Sequence, residues 1–307
     1  MDLHGIHPIV PTPFTDEGAV DLASIASLAA FLLGAGVDGL AILGVMGEAD
    51  KLSGEERESV IRAFRAALPS GKNLVVGTGA PGTDVAIAFS RRAVELGADA
   101  LLVAPPLVQN DHTLFAYYQR VAGAVPVPVV LHDYPASTGI VMTPELIARL
   151  SHEVERIDYV KLEDPPTGPK ITRVLQLARP GFKVLGAYGG LFALEELERG
   201  AVGIMTGFAY PELLVRLYRA HIEGDRAEAE RLFYGMLPLV RFEFQPKLGV
   251  SLRKHIFKRR GAIASTSVRH PGMEADPQTL RELERIERYL ATQGLLDVAA
   301  ESAAFRA

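Results

Sequence analysis

Short apolar runs rich in Val, Ile and Leu recur along the chain, and longer stretches with apolar residues every three or four positions separate them. The runs at residues 6–11, 39–44, 73–78, 100–105, 127–133, 157–163, 182–188 and 202–207 read as strands. Most lack polar/apolar alternation, the pattern of parallel strands covered on both faces. Helical patterns lie near 22–33, 54–68, 83–96, 113–123, 144–150, 171–178, 191–199 and 211–222. Their boundaries carry local signals. Ser53 precedes Gly54-Glu55-Glu56 and has the form of a capping box. Thr143 precedes Pro144, a proline at the first helical position. Glycines at 34, 97, 123, 200 and 224 close other helices.

Eight strand–helix units within about 220 residues point to a (β/α)8 TIM barrel, with a doubly wound open sheet as runner-up. After Gly224 the pattern turns helical, from 225 to about 258 and from 277 to about 294, with a turn-rich surface loop expected at 261–277. The expected organisation is therefore a barrel over 1–223 and a helical C-terminal extension over 224–307. In such a barrel the chemistry belongs at the C-terminal ends of the strands.

Composition narrows the chemistry. The chain has 307 residues, 32 basic against 37 acidic side chains, and a formal net charge of −5, which offers no basic surface for nucleic acid. It has no cysteine, so thiolate nucleophiles, disulfides and cysteine-ligated metals are excluded. No metal site or cofactor is expected, since the histidines show no ligand spacing. No apolar window is long enough for a membrane span and no leader pattern opens the chain, so a cytoplasmic setting is expected. Only eight of the 32 basic residues are lysines, and a lysine in an apolar strand stands out.

That lysine is Lys161, in Tyr159-Val160-Lys161-Leu162-Glu163. Period-2 geometry places Tyr159, Lys161 and Glu163 on one face and Val160 and Leu162 on the other. The aliphatic pair suits helices outside the barrel, so Lys161 should point inward, where a neutral amine can attack a ketone and form a Schiff base. The pattern leaves a second reading open, in which Lys161 reaches out of the strand end and pairs with Glu163. Glu163 is a candidate proton carrier, and Asp164 reads as a solvated loop residue. His132, ending its strand beside Asp133 and Tyr134, can act as acid or base near neutral pH, or be structural. Lys183 opens a strand at the stability face of the barrel, and the other lysines, with the run from Arg253-Lys254-His255 to Lys258-Arg259-Arg260, read as surface charge. Gly34-Ala35-Gly36-Val37-Asp38-Gly39 matches a dinucleotide motif by letter, but it follows a helix and enters a strand, the reverse of the required context.

Several motifs occur together and in order: Ile9-Val10-Pro11-Thr12-Pro13-Phe14, Gly44-x-x-Gly47-Glu48, Gly77-Thr78-Gly79, Tyr134-Pro135-Ala136-Ser137-Thr138-Gly139 and the lysine of the sixth strand. Together they resemble the dihydrodipicolinate synthase / N-acetylneuraminate lyase family of Schiff-base-forming barrels. The resemblance runs from about Gly5 to the C-terminal helices. It implies a (β/α)8 barrel with a helical tail, a homo-oligomer (tetramer or dimer), and an imine between Lys161 and pyruvate or another 2-oxo acid. Candidate substrate-binding positions are Val45, Met46, Gly47, Tyr134 and Met205, with amides near Met46 and Gly47 for the carboxylate.

The chain departs from the synthases of that family where their chemistry is carried. Val45 and Met46 replace two threonines, His132 stands for a tyrosine that shuttles the proton, and Leu107 falls where a second tyrosine reaches the neighbouring subunit. Ser137 stands where an arginine holds the second substrate. The Lys161-x-Glu163 spacing, the Asp133-x-Pro135-Ala136-Ser137 turn and Arg269-His270-Pro271 are more similar to 2-keto-3-deoxy-arabonate dehydratase-type sequences. The expected activity is therefore a Schiff-base lyase on a 2-oxo acid, a 2-keto-3-deoxy sugar acid dehydratase or aldolase. The alternatives are a dihydrodipicolinate synthase with a substituted relay, and a 2-oxo-acid-binding protein without turnover.

Overall fold

The computed structural model describes residues 2–296. Eight parallel strands follow one another around a barrel: β1 (Gly5–Ile6), β2 (Gly39–Ile42), β3 (Asn73–Gly77), β4 (Ala100–Val103), β5 (Val129–Asp133), β6 (Ile157–Leu162), β7 (Lys183–Gly186) and β8 (Gly203–Ile204). A helix follows each strand, as the pattern predicts for a TIM barrel. β1 pairs with β8, and the ring closes where Val10 donates to the Ala41 carbonyl at 2.8 Å and Ala41 to that of Pro8 at 2.9 Å. Pro8 and Pro11 have no N–H to donate, so β1 is shorter than its apolar run suggests. β8 is short as well. A Cβ on Gly203 would lie 2.1 Å from the Gly5 carbonyl oxygen, so only glycine lets β8 approach β1 this closely.

Alternation along the strands divides the core in two. Ala41, Val75, Leu102, Val130, Tyr159 and Leu185 fill the barrel interior. Leu40, Val76, Leu101, Leu131, Val160 and Leu162 face the helices. The parity expected for β6 therefore holds, with Tyr159 inside and its two aliphatic neighbours outside. Helix starts follow local chemistry. Ser53 and Glu56 form the full capping box of the Gly54–Ala67 helix. The Thr143 hydroxyl accepts from Leu146 N at 3.1 Å ahead of Pro144.

Among the described residues the C-terminal region contains three helices, Arg226–Glu243, Gly249–Arg259 and Pro277–Thr292. The single helix expected from 225 to about 258 is broken at Phe244–Leu248, where Pro246 cannot continue the hydrogen-bond ladder and Lys247 adopts a left-handed φ of 69°. Part of the expected 224–307 extension lies outside the described residues. No helix among the described residues is long and apolar enough to cross a membrane.

The Gly249–Arg259 helix corrects the reading of its basic run as surface charge. It packs against the loops at the barrel mouth, so Arg253 is 3% and Lys254 0% exposed. Lys170 is also largely buried, 2.7 Å from Asp133 and 2.8 Å from Asp164, so Asp164 is paired rather than simply solvated. Neither burial has a local signature in sequence, because the covering surfaces come from distant segments.

Candidate active site

The register between β5 and β6 sets His132 directly opposite Lys161. Glu163 N donates to the Asp133 carbonyl at 2.8 Å and extends that pairing one residue beyond the strand, holding Glu163 beside them. All three side chains are buried at the mouth. Lys161 Nζ donates to Glu163 Oε1, His132 Nε2 lies 3.0 Å from the same oxygen, and Nζ and Nε2 are 3.2 Å apart. Both sequence readings of Lys161 thus have a part in the structure: the lysine points inward, and it pairs with Glu163 there.

The charges in this triangle are sharply biased. Burial would raise the Glu163 carboxyl, but the Lys161 charge and the His132 hydrogen bond hold it down, to about 2. Burial, with Lys161 adding to it, lowers the His132 imidazole below its ordinary value. Near neutral pH the pocket therefore holds a carboxylate and a neutral imidazole beside the amine. Tyr134 stacks on His132 with ring centroids 5.9 Å apart. Burial and the neighbouring Glu163 push its hydroxyl up to about 12, so it remains a proton donor.

These groups line a cavity of about 430 Å³ with Val45 and Met46 of the loop after β2, Thr206 and Gly207 after β8, and Arg253. Val45, Met46, Tyr134, His132, Lys161 and Glu163 are thus brought together. Gly47 and Met205 are set back from the wall. Gly47 is buried, with its carbonyl accepting from the Thr12 hydroxyl at 2.7 Å. Met205 packs in the barrel interior one residue before Thr206. A second, larger cleft of about 1,270 Å³ adjoins the first and shares Gly44, Val45, Leu102 and His132 with it. Ser137, Asp50 and Arg57 lie on its wall.

The loop after β2 is held by a charge network that joins three remote segments. Val45–Gly47 form one 3-10 turn, and Glu48 follows at a left-handed φ of 52°. Its buried carboxylate accepts from Lys254 Nζ at 2.7 Å, Lys51 Nζ at 2.9 Å and Arg269 N at 2.9 Å. Lys254 and Arg269 each lie over the Phe14 ring, at 4.3 and 4.5 Å. The segments around Phe14, Glu48 and Arg269-His270-Pro271 therefore form one structure behind the cavity.

Residues 2–289 match the family model for the dihydrodipicolinate synthetase family. The chain belongs to that family. Members of this family are lyases that work through a Schiff base with a lysine, and this enzyme is one of them. It is 33% identical over 294 residues to an L-2-keto-3-deoxyarabonate dehydratase of Azospirillum brasilense, covering 93% of this chain and 94% of the relative. It is 31% identical over 300 residues to a probable 2-dehydro-3-deoxy-D-pentonate aldolase, YjhH, of Escherichia coli K12, covering 96% and 98%. Among solved structures, dihydrodipicolinate synthase of Rhodopseudomonas palustris superposes with a TM-score of 0.89 at 34% identity, covering 94% of this chain and 97% of that one.

Sequence reasoning missed Arg253, Phe244 and the Glu48–Lys254 pair. Leu252 and Ile256 are buried on one face of the Gly249–Arg259 helix and Arg253 lies beside Leu252, but its charge carries no local mark of burial.

Proposed function

We infer that this family member is a 2-keto-3-deoxy sugar acid dehydratase or aldolase in which Lys161 forms the imine. The observation that carries the reading is the buried amine of Lys161, in contact with a carboxylate and a neutral imidazole on the wall of the cavity at the barrel mouth. The Lys161 amine attacks C2 of the 2-oxo acid, water leaves, and the iminium becomes an electron sink. Removal of a C3 proton gives an enamine, which expels the C4 hydroxyl as water once that oxygen is protonated. In the aldolase alternative, the C4 hydroxyl gives up its proton and the C3–C4 bond breaks, leaving the enamine of pyruvate. Glu163 and His132, with an ordered water, move these protons: the carboxylate accepts and the imidazole relays. Val45 and Met46 offer no hydroxyl where the synthases have two threonines, which favours sugar-acid substrates over condensation with aspartate semialdehyde. The two relatives named for 2-keto-3-deoxy pentonate chemistry support the same choice.

Exposed Leu107 and Val108 adjoin each other on the loop after β4 and suit a contact between copies in a dimer or tetramer. Borohydride reduction with pyruvate should add a stable mass increment at Lys161, and Lys161→Ala should lose both adduct and turnover. A panel of 2-keto-3-deoxy acids, and of pyruvate with aspartate semialdehyde, then separates the activities by product mass. Lys161→Ala retaining full turnover would end this reading. Trapping without turnover of any panel member would favour a binding protein.

A further inference from the structure

The cavity wall includes one cation that the barrel itself does not supply. Arg253 comes from the Gly249–Arg259 helix and is 97% buried against the loops after β2 and β8. Its Nε donates to Glu243 Oε2 at 3.0 Å, and the same oxygen accepts from Ala209 N at 3.0 Å. Its Nη1 meets only the Met46 thioether, at 3.0 Å, and a thioether is a weak acceptor. Nη2 makes no hydrogen bond among the described residues. The outer edge of the guanidinium is thus placed at the substrate cavity without an anionic partner.

Two glycines make room for it. A Cβ on Gly207 would lie 3.4 Å from both Cζ and Nη1, and one on Gly249 would lie 3.2 Å from Nη1. Burial also pushes the Glu243 carboxyl up against the pull of Arg253. A buried cation in that position is stabilised by a second anion.

We propose that Arg253 binds the C1 carboxylate of the 2-oxo acid and thereby fixes the direction in which the substrate lies on Lys161. This rests on the imine reading. Arg253 stands beside Met46 and Gly207 on the cavity wall. His132 stands where the small cavity opens into the larger cleft. With C1 at Arg253 and C2 on Lys161, C3 lies toward His132, and the hydroxylated tail runs into the cleft with Asp50, Arg57 and Ser137 on its wall. The enzyme then selects a free C1 carboxylate through a residue of its C-terminal helix.

Isothermal titration calorimetry of wild type and Arg253→Met with pyruvate, and with the neutral analogue pyruvamide, tests this. A charge-assisted contact corresponds to pyruvate binding roughly 10- to 100-fold more weakly in the variant, with pyruvamide binding unchanged. Unchanged pyruvate affinity overturns the proposal, as does equal weakening of both ligands. If circular dichroism shows Arg253→Met unfolded, the double variant Arg253→Met/Glu243→Gln removes both buried charges and is judged by the same outcomes. Borohydride trapping on wild type reads the imine separately. Trapping with unchanged variant affinity removes the Arg253 assignment alone, whereas failed trapping with the affinity loss intact removes the imine alone.

Discussion

Replacing Glu163 by glutamine keeps the size of the side chain and removes the charge that organises the site. The carboxyl is held at about 2 in the folded enzyme against an ordinary 4.5. At about 1.4 kcal/mol for each tenfold, this preference for the ionised form corresponds to about 3 kcal/mol of folding stability. Because the folded value is depressed, that contribution is present above pH 4.5 and disappears as pH falls toward 2. About 1 kcal/mol of it should remain at pH 3. The Glu163→Gln variant should therefore be less stable than wild type by about 3 kcal/mol at pH 7, and the gap should narrow by about two-thirds at pH 3. Urea unfolding followed by far-UV circular dichroism measures this without tryptophan, which the chain lacks. Protomer concentration must be held constant across the series. Turnover should fall roughly 10²- to 10⁴-fold if Glu163 also carries a proton. A stability gap that is the same at both pH values, or wild-type turnover in the variant, would refute the reasoning.

Two further outcomes test the frame around the site. Lys254→Met leaves the buried Glu48 carboxylate with only Lys51 and the Arg269 amide. Breaking a buried pair in this way should cost about 3 kcal/mol and raise KM more than it lowers kcat, because the loop carrying Val45 and Met46 loses its anchor. Urea midpoints and steady-state kinetics check both, and a loss under about 1 kcal/mol would show that the pair holds little. Gly203→Ala forces a Cβ to within 2.1 Å of the Gly5 carbonyl, so β1 and β8 must part. An overpacking loss of about 2 kcal/mol or more in the same unfolding assay is expected, and a neutral substitution would show that the barrel closes with slack there.

The fold was legible in sequence because its signals are local. Buried parallel strands show as Val, Ile and Leu runs, and Ser53, Thr143 and the closing glycines mark helix ends through interactions within a few residues. Strand lengths were less legible. β1 contains only two residues because Pro8 and Pro11 have no N–H to give the ladder, and β8 is as short, although the apolar runs continue in both. The break at Phe244–Leu248 was also missed, since Pro246 and Lys247 interrupt a pattern whose apolar period continues on both sides.

By itself, the sequence determined the inward parity of Tyr159, Lys161 and Glu163, because successive residues of a strand must face opposite ways. It also placed His132 at a strand end. Only the tertiary structure decided that β5 and β6 set His132 opposite Lys161, and that both meet the Glu163 carboxylate. The basic run at 253–260 shows the limit most clearly. Charge in a helical segment has no local sign of burial, and the contact that buries Arg253 joins it to Met46, 207 positions away. Whether such a residue faces water or substrate depends on which surface its helix covers, and only the packed barrel supplies that surface.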